Sequence, residues 1–442
     1  MKILTLTKEV PIVGEYDVVV CGGGPAGFIA AISAARMGCR TALVERLGFL
    51  GGTATAGLVM PISGFYHNGN RVIGSIPWEF IRRMKELGGA TVDLPKGHIS
   101  ANIELYKLVA QRMVLEAGVT LYTNCFLSHS IMDENRITAI LMESKNGTEG
   151  LTGRYFIDAT GDGDLCRISG VPMVTSLELQ PMSMCFVLEG VDVTTPLLKD
   201  CIHHNGLGGK PSVNAEIRGY LTECVAQGKL RQFGGPWFNT LVQGNGIAVN
   251  MTRIAGNGAD RADMTRAEAQ LREDMFTVVA LLREKYPEFR NCSIVNSGVN
   301  AGIRETRQIQ GLYTLTGSDL AEGKEFACPV AQCAHPMDIH KAGSLQQTLV
   351  RLEKAADVPH SALIPKNTAN LIAAGRCISA DREALASLRV QGTLMSVGEG
   401  AGILASLACR TNCAVSDIPE ASIAEVLQQR KPVVSIPSSH EE

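Results

Sequence analysis

The chain is poor in aromatic residues, which make up 5% of its 442 positions and include only two tryptophans. So few rings argue against a stacking platform for single-stranded nucleic acid. Charge of neither sign dominates, with 41 Lys and Arg against 44 Asp and Glu and a net charge of −3. There is thus no electrostatic reason to expect nucleic acid or an anionic membrane as a partner. No run reaches the ~18 uninterrupted apolar residues of a membrane-spanning helix, and Met1 to Lys8 lacks the apolar core of a signal peptide. The expected location is the cytoplasm. The 13 cysteines include no Cys-x-x-Cys pair. Spacings such as Cys328 to Cys333 and Cys409 to Cys413 are too irregular for a zinc or iron–sulfur framework, so no metal site is expected. Cys21, Cys377 and Cys409 lie in apolar stretches and read as small hydrophobes of a reducing compartment. Internal repeats and low-complexity blocks are absent.

What is present begins with glycine, 46 residues of it. Val18-Val19-Val20-Cys21-Gly22-Gly23-Gly24-Pro25-Ala26-Gly27 is a buried apolar strand that runs into a glycine turn opening an alanine-rich helix. Gly38 stops the helix, and Thr41-Ala42-Leu43-Val44-Glu45 returns as a second strand ending in an acid. In this arrangement Gly22 permits the turn, Gly24 lets backbone approach a pyrophosphate, and Gly27 lets the helix pack on the strand. The N-terminus of the helix, with Pro25 and Ala26, directs N–H groups and partial positive charge at the phosphates. Glu45 stands where a carboxylate takes the ribose hydroxyls and repels a 2′-phosphate. An ordinary α/β turn is the plainer alternative.

Directly after Glu45 comes a second small-residue loop, Arg46-Leu47-Gly48-Phe49-Leu50-Gly51-Gly52-Thr53-Ala54-Thr55-Ala56-Gly57. A nicotinamide cofactor has no need of it, whereas the long ribityl–isoalloxazine arm of a flavin passes over more backbone. Further stretches are Phe156-Ile157-Asp158-Ala159-Thr160-Gly161-Asp162-Gly163-Asp164, Gly302-Ile303-Arg304-Glu305-Thr306-Arg307, Asp338-Ile339-His340 and Asn370 to Ala380. On these motifs the chain resembles the bacterial FAD-dependent oxidoreductases of the glutathione-reductase-like flavoprotein superfamily, and is distantly similar to fumarate reductase flavoproteins. The resemblance implies FAD as cofactor and an α/β fold, a glutathione-reductase-like FAD-binding Rossmann domain with an inserted α+β substrate domain. It also implies cofactor contacts at Gly22, Gly24, Pro25, Ala26, Gly27, Glu45, Arg46, Gly51, Gly52 and Thr53. Backbone near Phe126 would hold the adenine edge. Thr160, Gly161, Asp162, Gly375, Arg376, Gly392 and Thr393 complete the cofactor set.

The chain divides into 1–170 as the first part of the FAD domain, 171–365 as the inserted domain, 366–420 as the returning part and 421–442 as a tail. Residues 1–15 form a leader, a strand or hairpin. Helices are expected at 77–87, 102–117, 265–285 and 391–409. Strands are expected at 119–124 and 369–374, with a small antiparallel meander over 128–156 laid across the main sheet.

Four residues are candidates for chemistry. Arg389 precedes the last helix, in the position the superfamily uses to stabilise negative charge near flavin N1 and C2=O; a surface salt bridge is the alternative. His340, two residues after Asp338, suits proton transfer near neutral pH, or is a structural histidine. Arg304 and Arg307 flank Glu305, and either could clamp a substrate carboxylate; a buried Arg–Glu tie is the other reading. His203-His204 lacks a third ligand and reads as loop. Gly51 to Thr55 has no cysteine where disulfide reductases carry their redox pair, and no second strand–glycine-turn–helix unit offers a nicotinamide site. The expected reaction is hydride transfer between a small polar organic substrate and flavin N5. The alternatives are a flavin monooxygenase, a tRNA-modifying flavoprotein or a non-catalytic FAD-binding protein. The electron partner stays open among oxygen, a carrier protein and a second substrate, and a homo-oligomer is compatible with the chain.

Overall fold

Apolar strands of the first 160 residues assemble into one twisted sheet, and its register places the glycine turn at the carboxyl edge. The computed structural model describes residues 3–93, 98–199, 202–203, 213–341 and 347–429. In chain order, β1 is Ile12–Cys21, α1 Pro25–Arg36, β2 Thr41–Glu45, α2 Ser75–Glu86, α3 Ile103–Glu116 and β3 Thr120–Thr123. They are followed by β4 Phe126–Asp133, β5 Arg136–Ser144 and β6 Gly147–Asp158. The seven-stranded sheet runs β3-β2-β1-β6-β5-β4, and a late strand, Leu371–Ala373, pairs with β6. Strands β3, β2, β1 and β6 are parallel, while β5 and β4 are antiparallel. In β1, Val18, Val19 and Val20 are fully buried, as expected of a strand covered on both faces.

The expected meander is there, but it does not lie across the sheet. Strand β6 is long enough to pair with β5 over Gly147 to Thr152 and with β1 up to Asp158, so the meander continues the sheet edgewise. Among its described residues the leader forms no hairpin: it carries no strand until β1 starts at Ile12, so only its last four residues are strand, with a register shift between Ile12 and Gly14.

The middle of the chain builds a second core. Its elements are β7 (Phe186–Glu189), β8 (Ile202–His203), α4 (Ala215–Ala226), β9 (Phe233–Thr240), β10 (Ile247–Thr252), α5 (Arg261–Lys285) and β11 (Ser293–Ser297). The five strands order as β8-β9-β10-β7-β11. One face, carrying Phe186, Phe238, Val249 and Met251, packs on Ile217 and Leu221 of α4 and Leu271 and Met275 of α5. His203 has only its backbone strand described, and His204 lies outside the described residues.

This second core holds residues from Met182 to Ile303, whereas Ile309, Leu315, Val330, Cys333, Val358 and Leu363 belong to the first core. The expected boundary at 365 therefore falls some 60 residues beyond the change of core. The segment has fewer glycine-rich strand ends than the parts that flank it, yet its apolar side chains pack on the last long helix. The chain then passes through β12 (Met337–His340) and β13 (Leu371–Ala373) to α6 (Gln391–Thr411).

Helix α6 lies against α1 at close range. A Cβ on Gly398 would stand 2.0 Å from the Ala26 carbonyl oxygen, and one on Gly402 2.6 Å from that of Ala30. Glycines four apart on α6 thus meet alanines four apart on α1, on facing stripes. Among the described residues α6 alone is long and apolar enough to cross a membrane, and 94% of its most apolar window is buried inside the protein. The weak terminal helix is Glu420–Gln428; the tail from 430 onward lies outside the described residues.

Candidate functional site

A cleft of about 710 Å³ runs from the glycine turn, between the two sheets, to a polar end beside β12. At the turn, three glycines serve three purposes. A Cβ on Gly27 would fall 1.8 Å from the Gly22 carbonyl oxygen, so that glycine allows helix-to-turn contact. Gly22 has φ +100°, and its Cβ would meet Ala159 O at 2.4 Å. A Cβ on Gly24 would find its nearest neighbour, Gly52 Cα, at 3.9 Å and would point into open cleft. Helix α1 starts at Pro25 without a side-chain cap, so its first N–H groups have no side-chain acceptor. Glu45 closes the turn from below: Gly23 N–H donates to Oε2 at 2.6 Å and Leu47 N–H to Oε1 at 2.8 Å. Burial raises its carboxyl above the ordinary carboxylate value, opposed by those two N–H groups.

Of the expected cofactor residues, Gly22, Gly24, Pro25, Ala26, Glu45, Arg46, Gly52 and Thr53 line the cleft. Thr160, Gly161, Asp162, Gly375 and Arg376 line it too. Asp162 accepts from Thr306 Oγ1 at 2.7 Å and Arg376 Nη2 at 3.0 Å, tying this loop to the 303–306 segment. Five others do not reach the cleft wall. Gly27 is buried under the turn. Gly51 (φ +109°) backs onto Thr55 and Tyr106. Phe126 leaves β4 toward solvent, 57% exposed. Gly392 packs on Phe65, and Thr393 is fully buried with its hydroxyl on Gln332 O. Strand pairing turns the Phe126 ring away and the rotation of α6 turns Gly392 and Thr393 away, whereas Gly27 sits where its packing role requires it. At the start of α6, Val390, Gln391 and Leu394 face the cleft instead.

At the polar end, Arg304, Arg389 and His340 line the wall, whereas Arg307 does not. Arg307 donates to Asp164 Oδ1 at 2.6 Å, outside the cleft, so the substrate clamp expected of it gives way to an ion pair. Arg304 Nη1 donates to Pro181 O and Ser183 Oγ, both at 2.6 Å. Arg389 donates to Asp338 O at 2.9 Å. Burial lowers Arg304 and Arg389 to about 10, each pressed further by its cationic neighbours.

His340 is not placed to act as the proton acceptor. Its Nδ1 lone pair accepts from Arg253 Nη2 at 2.7 Å, and its Nε2–H donates to Asp338 Oδ2 at 2.9 Å. Both ring nitrogens are thereby used by a neutral imidazole. Burial, and then Arg304, push its pKa down to about 3, against the opposing pull of Asp338. Burial works to raise the Asp338 carboxyl, but His340, Arg389 and Gln347 outweigh it and hold the group below the usual range. A stability consequence follows. The unfolded chain protonates this histidine near 6.5, the folded one only near 3. Stability therefore falls as pH drops through that window, by roughly 1.4 kcal/mol per unit at most. Urea unfolding at pH 7 and pH 5 is expected to show wild type losing more stability than His340→Gln; equal losses would place the acid-sensitive group elsewhere.

Two residues of this end went unnoticed in the sequence. Arg253, just after β10, is 8% exposed, and its guanidinium holds His340. His335 lines the cleft with Nδ1 2.8 Å from Pro336 O. A proton on Nδ1 satisfies that carbonyl and leaves the Nε2 lone pair available. Burial lowers the pKa of His335 below its ordinary value. Neither residue belongs to a motif; the only signal was that His335-Pro336 adjoins Asp338 and His340 in sequence.

An open glycine turn on an uncapped helix, an acid closing the second strand and a long cleft across a mixed sheet define a dinucleotide-binding α/β protein of Rossmann type. Residues 17–430 match the family model described as FAD dependent oxidoreductase, and the chain belongs to that family. FAD is its cofactor. The chain is 51% identical to a dihydrolipoyl dehydrogenase of Trypanosoma brucei brucei over 57 residues, 13% of this chain and 12% of that protein. It is 29% identical to digeranylgeranylglycerophospholipid reductase 2 of Methanopyrus kandleri over 189 residues, 40% of this chain and 46% of that one. The matches thus span less than half the length of these relatives. Among solved structures, a geranylgeranyl bacteriochlorophyll reductase-like protein from Thermoplasma acidophilum aligns over 94% of this chain and 84% of its own, at 12% identity and TM-score 0.47.

Proposed function

We propose that FAD lies along the cleft, held at its adenosine end by Glu45 and Arg46 and at its pyrophosphate by Gly24 and the N-terminus of α1. Gly52, Thr53, Gly161 and Asp162 would line the ribityl arm, and Gln391 and Arg389 the flavin end. We further propose hydride transfer between a small polar organic molecule and flavin N5. One observation carries this reading: a single continuous cleft joins the glycine turn to an end lined by arginines and a histidine with a spare lone pair. Bound FAD supplies the two-electron centre. The chain supplies the rest: His335 Nε2 takes the substrate proton, and the arginines orient the molecule.

The finer fold reading is a glutathione-reductase-like domain with residues between β6 and β13 contributing the substrate-facing sheet. Its support is the separate core of residues 182–303. The distant likeness to fumarate reductase flavoproteins stays with that reading. So does a cytoplasmic location, supported by cysteines that are all free among the described residues. The proposed partners are the small substrate and a separate electron partner, with no nucleic acid or membrane.

Glu45→Ala tests the cofactor end. It is expected to weaken FAD by roughly 10- to 100-fold, the worth of charged hydrogen bonds, while the chain still folds. The measurement is the FAD dissociation constant of apoprotein by fluorescence titration; an unchanged constant would move the ribose contact elsewhere. Anaerobic reduction of the bound flavin by an organic donor is the expected activity. A flavin that no donor reduces would leave an FAD-binding protein without hydride chemistry.

A further inference from the structure

Among the described residues, the polar end of the cleft holds more positive charge than it has partners for. Arg253, Arg304 and Arg389 share one carboxylate, Asp338, and three guanidiniums less one carboxylate leave +2. The next acid, Glu305, is engaged by Ser176 Oγ at 2.5 Å and Gln180 N–H at 3.2 Å, and Arg382 at 3.9 Å balances its charge. Asp162 is balanced by Arg376 at 3.0 Å. Uncompensated buried charge is costly, and an anion bound at this end would relieve it.

Donors are also left over. Arg253 Nη1 and Arg389 Nε are buried and meet no acceptor among the described residues, and both arginines line the cleft. Arg253 is fixed from two sides. His340 holds Nη2, and Asp338 holds His340. The guanidinium also occupies the space that a side chain at Gly234 would fill, 2.0 Å from the position of its Cβ. Beside it, Trp237 and Asn250 pair across β9 and β10 and line the same wall.

We propose that Arg253 anchors a carboxylate of the substrate, with Arg389 as second donor, so that the substrate is a small organic acid. His340 is a neutral positioning residue that holds the guanidinium directly and is itself held by Asp338. This rests on the reading above, which places the reacting carbon of that acid at the flavin end. A planar guanidinium fork receives two oxygens of a carboxylate side by side; it receives a phosphate or sulfate oxygen pair in the same way, and the sulfate arm of the test below separates the two. Arg253 belongs to the substrate-facing sheet rather than to α6, which separates it from a role at the flavin's own N1–C2=O edge.

The test uses FAD-loaded protein titrated with sodium acetate, lactate and benzoate, and with chloride and sulfate at matched ionic strength. The readouts are the thermal midpoint and the fluorescence of Trp237, the other tryptophan, Trp78, being packed on Phe65 and Tyr66. At least one carboxylate is expected to give a saturable response that chloride does not. Arg253→Gln should weaken it by roughly 10- to 100-fold at unchanged FAD content. Arg253→Lys keeps the charge and covers a folding failure of the first variant; it should restore part of the affinity but not the fork geometry. His340→Gln should weaken binding severalfold. Wild-type affinity in Arg253→Gln, sulfate binding more tightly than every carboxylate, or no saturable response in flavin-loaded protein would each overturn the proposal. A protein that binds carboxylate but no FAD would sink the flavin reading and leave the anchor standing.

Discussion

Gly24→Val is expected to yield a folded, colourless protein. The Cβ of residue 24 has 3.9 Å of clearance from its nearest heavy atom, so the chain itself accepts a side chain there. The branched carbons would instead fill the space above the uncapped N-terminus of α1, where the pyrophosphate is proposed to rest. Gly27→Val is the matched comparison. Its Cβ would overlap the Gly22 carbonyl at 1.8 Å, so that variant should lose stability itself rather than lose flavin from a sound fold. Far-ultraviolet circular dichroism and flavin content, measured on both, separate the outcomes. Full flavin occupancy in Gly24→Val would show that the turn does not cradle the cofactor.

His335→Gln should retain FAD and slow its anaerobic reduction by substrate by roughly 10²–10⁴-fold, the usual worth of positioned acid–base help. The neutral ring is the competent form. In wild type the reduction rate should therefore rise with pH through a value below the ordinary 6.5 of histidine, because burial depresses this group. Below that value the ring carries a proton and cannot accept another. The variant should lose this dependence along with the rate. Single-turnover bleaching across pH 4.5 to 7.5 checks both. An unchanged rate and profile would return His335 to a packing role.

How much of this was legible in the sequence depends on the range of the interaction. Val18 to Glu45 specifies its strand, turn, helix and strand locally, through apolar runs, glycines and a closing acid, and the structure places all of them as expected. The last long helix was bounded correctly at Gln391 and ends two residues beyond Cys409. Direction was harder. Whether Gly392 or Gln391 faces the cleft depends on how α6 is rotated by Gly398 and Gly402 against α1, a contact between residues some 370 positions apart. Backbone near Phe126 was placed at the adenine by likeness; β4 is the sheet edge and turns the Phe126 ring to solvent, which leaves the ring itself outside the cleft.

The polar end was the least legible. Arg253 has no motif; it meets His340 only because β10 of one sheet ends opposite β12. The same contact removes the lone pair that made His340 look like a base. Arg307 illustrates the converse: three residues from Arg304, it pairs with Asp164 on the other side of the segment.

The central claim is that the arginine end of the cleft presents an organic donor to flavin. Its most direct measurement is anaerobic stopped-flow mixing of the FAD-loaded protein with hydroxy and amino carboxylates on one side, and with NADH and NADPH on the other. The expected result is that one of the organic acids bleaches the visible flavin band in a saturable single turnover, and that this is lost in Arg253→Gln. Bleaching by NADH or NADPH alone, with every organic acid silent, would contradict the account and favour a monooxygenase or reductase fed by nicotinamide.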